Sequence, residues 1–284
     1  MPEESTPAPS NPPRAPQPDG SFQDVMDGIM GLHKRIYELE KSLVASGAGI
    51  APDLKTLGPE FRKTFLPAWR RDTPGEPRWH VALAVTAAIF LQWPLPGRLV
   101  LFRPTWLLPV LEGALLVILV ALDKSSIDRE SMVLRSLGLA AVTILSVANA
   151  WSAVRLVMEL INGTVGNSAG PLLTSGAVIW LTNVIVFAVW YWELDRGGPA
   201  ERAHGTREWP DFMFPQMTSP DMAPKDWEPS FPDYAYVAFT NATAFSPTDT
   251  MPMTRWAKTA MTLQSMVSIA VVALVVARAV NILN

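Results

Sequence analysis

The sequence contains no cysteine, which removes disulfide scaffolds, thiolate metal sites and cysteine nucleophiles together. Histidine is scarce. His33, His80 and His204 fall in separate segments, with no H-E-x-x-H pattern to hold a hydrolytic metal. A G-x-S-x-G elbow, a Walker loop and a dinucleotide fingerprint are all missing. No catalytic, cofactor-binding or metal-binding residue is therefore assigned, and the chain is read as non-enzymatic. Basic excess is missing too: the net charge is −3 and the pI near 5.7, which leaves no electrostatic footprint for nucleic acid.

What is present is apolar sequence, unevenly spread. Mean hydropathy is only +0.19 and charged residues make up 17%, yet five nearly uncharged windows occupy 79–97, 104–122, 136–154, 171–192 and 259–277. A hydrocarbon core of roughly 30 Å needs about 20 apolar helical residues to cross it. The windows exclude a purely soluble protein. They predict an all-α integral membrane protein with five transmembrane helices over residues 79–284, the lipid bilayer being its first partner. Trp79, Trp93, Trp106, Trp151, Trp190, Tyr191, Trp192 and Trp256 lie near the window ends, as interfacial anchors do. Lysine and arginine number ten before residue 79, three in 123–135 and four in 193–232, against two in 98–103 and none in 156–170. That asymmetry predicts a multi-pass protein of the cell (plasma) membrane with a cytoplasmic N-terminus.

The first quarter is different. Residues 1–21 hold seven prolines and almost no aliphatic side chain, so they predict a disordered tail. They lack the basic start and apolar h-region of a signal peptide, which leaves membrane targeting to the first span. Within 22–46, Phe22, Val25, Ile29, Leu32, Ile36, Leu39 and Leu43 repeat at 3-4 spacing over three heptads. The β-branched residues at a and leucines at d lean towards a parallel dimer, so a homo-oligomer formed through a short coiled-coil-like helix is one expectation. An amphipathic helix packed on its own domain or on the membrane is the other, since Gly28 and Gly31 weaken the seam by about 1 kcal/mol each. Residues 47–78 read as a basic linker.

Between the fourth and fifth windows, Tyr234 to Phe245 form an apolar stretch of twelve residues, too short to span as a helix. Ser246, Pro247, Thr248 and Asp249 follow as a polar break. Irregular backbone cannot face hydrocarbon, so 233–250 predicts a re-entrant half-helix lining a pore or cavity, or else a loop capping the bundle at the interface. Thr240, Asn241, Thr243, Ser246, Thr248 and Asp249 are the candidate lining residues. Asp233 and Asp249 also read simply as turn and cap residues.

Within the windows, Glu112 is the one carboxylate near a span centre, where a charge costs about 2.5–3.5 kcal/mol on insertion scales. It is a candidate ion- or proton-handling group, or a neutral acid bonded between helices. Asn149, Asn183 and Gln264 read as interhelical glue. Arg155 and Glu159, one helical turn apart, are expected to pair. Glu193, Asp195 and Arg196 are expected to form a solvated helix end.

Two resemblances follow. Thr240-x-x-Thr243, then Asp249-x-x-Pro252-x-Thr254-x-x-Ala257-Lys258 and a long apolar helix, is distantly similar to the pore helix, filter and inner helix of potassium channels. Where those channels carry Gly-Tyr-Gly, this chain has Phe245-Ser246-Pro247-Thr248, a degenerate filter. Without glycine the backbone cannot reach the left-handed conformations that aim carbonyls at the ion, so potassium selectivity is not expected. From Trp79 to Asn284 the chain also resembles an uncharacterised bacterial multi-span membrane protein family, a domain of unknown function. The matching residues are Glu112-Gly113, Trp190-Tyr191-Trp192, Asp233-Tyr234-Ala235-Tyr236-Val237-Ala238-Phe239-Thr240 and Asn281. That resemblance implies a membrane protein and no particular activity.

Two functions are open at this level. One is a channel-like or transporter-like pore module for an unknown small ion or solute, using Glu112 and the polar break. The other is a non-transporting anchor or scaffold that oligomerises or recruits partners through the 22–43 helix.

Overall fold

In the computed structural model the chain divides into two units, residues 1–59 and 60–284. The described residues all belong to the second unit: 66–122, 132–164, 166, 168–207, 209–243 and 249–283. The tail, the heptad helix, the linker up to residue 65, Ser246 and Thr248 lie outside the described residues.

Six helices carry the architecture: α1 (Trp79–Leu91), α2 (Leu107–Leu122), α3 (Met132–Ile161), α4 (Ala169–Leu194), α5 (Phe231–Thr243) and α6 (Arg255–Leu283). Three of them, α3, α4 and α6, are long and apolar enough to cross a membrane, while α1 and α2 are shorter apolar helices. The shortening has a local cause. Pro94 and Pro96 remove backbone donors inside the 79–97 window, and α1 stops at Leu91 after 13 residues. At 1.5 Å per residue that is about 20 Å, short of a bilayer core. Likewise Pro104 opens the second window, and α2 begins only at Leu107.

Helix α4 is the centre of the bundle. It packs against α1, α3, α5 and α6, and α2 packs on α1 and α3. Apolar residues all round a helix suit such a position, and α4 buries Leu172, Val178, Ile179, Val184, Val186 and Val189 in turn. Gly176 lets α6 come close: a Cβ there would stand 2.9 Å from both γ-carbons of Val275. The outer faces of α1, α2, α3 and α6 stay apolar and exposed at Leu83, Val117, Val154, Leu263 and Val276. A water-soluble monomer rarely shows apolar surface of that extent, and lipid accommodates it.

The end of α4 carries a folded cap. The described residues between 195 and 230 form single helical turns and the short strand β1 (Phe212–Met213), which pairs antiparallel with β2 (Met251–Pro252) just before α6. The segment leading into α1 joins the same cap. Ala68 is buried, and the Thr73 amide and hydroxyl donate to Ala203 O at 2.8 Å and Glu228 Oε2 at 2.7 Å.

Among the tryptophans, Trp79, Trp93 and Trp106 are exposed near helix ends, as anchors are, whereas Trp151 is exposed in the interior of α3. The aromatic end of α4 differs: Tyr191 and Trp192 are buried in the core, and Trp190 donates to Ser146 Oγ at 2.8 Å.

Candidate functional site

Helix α5 starts in the cap with a local sequence device. Asp233 Oδ2 accepts from the Ser230 amide and hydroxyl at 2.8 and 2.9 Å, the capping role expected of it. The helix then runs back along α4. Tyr234 meets Asp195 at the end of α4, and the Ala242 carbonyl accepts from Trp180 Nε1 at 3.4 Å, near the middle of the 26-residue α4. Helix α6 also runs antiparallel to α4, with Gln264 beside Tyr191 and Ser268 beside Asn183.

Where these three helices meet, amides and hydroxyls form one connected network. Gln264 is its hub. It is fully buried, its Nε2 donates to Ala238 O at 2.7 Å, and its Oε1 accepts from Tyr191 OH at 2.6 Å and Asn241 Nδ2 at 2.7 Å. Asn241 Nδ2 also donates to Met261 O at 2.9 Å, and Ser265 Oγ donates to Asn241 O and Oδ1 at 3.1 and 3.2 Å. Asn183 Nδ2 reaches Gln264 O at 3.2 Å and Ser268 Oγ at 3.0 Å. The glue role read for Asn183 and Gln264 is thus observed directly. An open groove of about 380 Å³ lies on the outer side, lined by Asn241, Pro252, Lys258, Met261, Thr262 and Ser265 among others.

The candidate lining residues separate at this level. Asn241 reaches the groove. Thr240 Oγ1 donates back to Tyr236 O at 2.8 Å and Thr243 Oγ1 to Thr240 O at 2.7 Å, so both hydroxyls serve their own helix. Asp249 is exposed. Glu112 belongs to another part of the bundle: it is buried on α2, which packs on α1 and α3, and accepts from Gln92 Nε2. Its Oε1 has no hydrogen-bond partner among the described groups.

The cap holds the polar cluster that the sequence did not reveal. Glu193, Asp195 and Arg196, expected as a solvated helix end, are only 6%, 0% and 1% exposed. Burial of charge is tolerated when it is paired, and here the partners come from distant segments. Asp195 accepts from Tyr234 OH at 2.5 Å and from the Asp211 and Phe212 amides at 2.9 and 3.3 Å. Asp211 in turn accepts from the Arg196 amide and Trp256 Nε1, each at 2.8 Å. Arg202 donates to Asp195 O at 3.1 Å and to Trp192 O, and stacks over the Tyr234 ring at 5.1 Å. Arg196 sits at φ +53° and donates to Trp69 O and, at 3.0 Å, to Arg207 O.

Glu76 ties the cap together. One carboxylate oxygen accepts from Trp192 Nε1 and the other from the Phe231 amide at 2.7 Å, and burial pushes its pKa up to about 7. At the opposite end of the bundle the expected Arg155–Glu159 pair is replaced: Glu159 bonds Arg98 Nε at 2.9 Å, because the turn after α1 brings Arg98 across.

Sequence reasoning missed the cap because its members are spread from residue 69 to residue 256. The available signal was an Asp-Arg pair followed by a stretch dense in proline and tryptophan. Among the described residues no group of His, Asp or Glu is arranged to hold a metal. No family model matches the chain, and comparisons with characterised proteins and with solved structures return no match.

Proposed function

We propose that the protein is a channel-like or carrier-like membrane module in which α5 is a re-entrant half-helix and the groove beside Asn241 belongs to the solute path. The observation that carries this reading is the course of the chain. Helix α5 leaves the cap and ends beside Trp180, midway along α4, while β2 pairs with β1 back at the cap. Polar backbone at mid-membrane depth needs protein or water around it, and Asn241, Thr262, Ser265 and Lys258 supply polar groups on the open side.

In this reading α1 and α2 complete a five-span domain, the basic residues put the cap on the cytoplasmic side, and the solute is a small ion or polar molecule other than selected potassium. Glu112 acts on its own helix pair, separately from the groove.

Reconstitution into liposomes tests the proposal. Flux of protons or small monovalent ions is expected above protein-free vesicles, reduced by Asn241→Leu and by Thr262→Trp. Vesicles as tight as protein-free controls would favour the anchor or scaffold reading, in which the 22–43 helix does the recruiting.

A further inference from the structure

A carboxyl group stands alone in the other half of the bundle. Glu112 is 2% exposed and comes from the second turn of α2, the helix that packs on α1 and α3. Gln92, at the C-terminal cap of α1, donates its Nε2 to one carboxyl oxygen. The other oxygen, Oε1, is sealed from solvent and has no hydrogen-bond partner among the described groups. An ionised carboxylate accepts at about four lone-pair sites, and this one is offered a single donor.

No charge compensates it either. His80 stands at the cap end of α1, and in the turn that follows α1 Arg98 is bonded to Glu159 while Arg103 is exposed. On α3, Arg135 lies in the first turn, and Arg155 and Glu159 lie in the last two. Among the described residues none of these charges acts on Glu112; burial and the Gln92 amide alone govern its protonation. A hard metal cation takes six or more oxygen ligands, and no group of acids gathers there to supply them. A proton needs no such cage. It removes a buried charge that hydrocarbon surroundings make costly.

We propose that Glu112 is a proton-binding site of the membrane domain, its carboxyl holding the proton on Oε1 and exchanging it with water at the end of the bundle away from the cap. The course of the chain sets that side. Helix α1 leaves the cap at Trp79 and ends at Leu91; Gln92 follows, half-buried, and the next residue, Trp93, is 76% exposed. Helix α2 starts back from the same end at Leu107, which puts Glu112 about 7.5 Å along its axis. The half-exposed Gln92 is where the site meets the surface. The proposal does not rest on the Asn241 groove or on the solute path assigned to it.

Labelling of the full chain in mild detergent with dicyclohexylcarbodiimide tests it. The reagent consumes a neutral carboxyl: the acid proton moves to one carbodiimide nitrogen, the carboxyl oxygen bonds to the central carbon, and the acyl group then shifts to nitrogen as a stable N-acylurea. At neutral pH, peptide mass spectrometry is expected to find about tenfold more adduct on Glu112 than on Glu159, which Arg98 holds in an ion pair. Raising the pH should remove the adduct progressively. Gln92→Leu deletes the one donor to the ionised form and should keep the adduct to higher pH. Labelling of Glu112 no greater than that of Glu159, an adduct that does not change with pH, or its loss on adding sodium at fixed pH would overturn the proposal.

Discussion

Asn241 Nδ2 donates to Gln264 Oε1 at 2.7 Å, and the same oxygen receives the Tyr191 hydroxyl at 2.6 Å, so one glutamine joins α4, α5 and α6. Gln264→Leu leaves the Tyr191 hydroxyl without this acceptor and Asn241 Nδ2 with Met261 O alone, and a buried orphaned donor costs about 1–3 kcal/mol. A loss of roughly 2 kcal/mol is expected in a membrane setting, where alternative partners soften the penalty. Asn241→Ala alone should cost less, about 1 kcal/mol. The double variant should lose less than the sum, because the two changes remove one shared bond. Unfolding in mixed micelles, followed by tryptophan fluorescence, measures all three; strict additivity would show that the bond carries no energy.

Asp195 is fully buried and receives one hydroxyl and two amides. Asp195→Ala strands those donors and leaves Arg202 less compensated, for an expected loss of about 3–5 kcal/mol. Tyr234→Phe removes one donor and should cost about 1 kcal/mol. The same unfolding assay distinguishes them, and similar small losses in both would mean that the cap is not a rigid unit.

Glu76 gives the cap a pH dependence. Its folded pKa, about 7, lies above the usual 4.5, so the folded chain holds the proton more tightly than the unfolded one. The contribution to stability is full below about pH 4.5 and is lost as pH rises towards about 7, after which it is constant. Glu76→Gln cannot ionise and should flatten that part of a melting-temperature profile. An unchanged slope between pH 5 and 7 would assign the dependence to another group.

Gly176 leaves the space on α4 that Val275 of α6 fills. Gly176→Ala puts a methyl into the space of the valine and should destabilise by about 1–3 kcal/mol. Adding Val275→Ala should restore much of the loss. A neutral Gly176→Ala would show that α6 can shift outward.

The long helices were legible because α3, α4 and α6 are unbroken apolar runs, and a run of that length has few alternatives to crossing a membrane. The ends of α1 and α2 were less so: hydropathy averages over Pro94, Pro96 and Pro104, whereas the backbone does not. Local capping at Ser230 and Asp233 could be read from four residues. The cap cluster could not, because Asp195, Asp211, Tyr234 and Trp256 have no periodic relation, and a charged residue after an apolar helix is ordinarily solvated. Polar residues in α5 looked alike in sequence, and only tertiary contact separates Asn241, which faces Gln264, from Thr240 and Thr243, which bond their own backbone.

Because the chain has no native cysteine, single cysteines can be labelled without background. Thr262 and Met266 line the Asn241 groove, while their exposed neighbour Leu263, at similar depth on α6, is not part of its lining. A charged, membrane-impermeant thiol reagent added to membranes from the cap side should modify Thr262→Cys and Met266→Cys readily and Leu263→Cys hardly at all, as a water-filled groove beside α5 requires. Equal inertness at all three positions would contradict a solute path there.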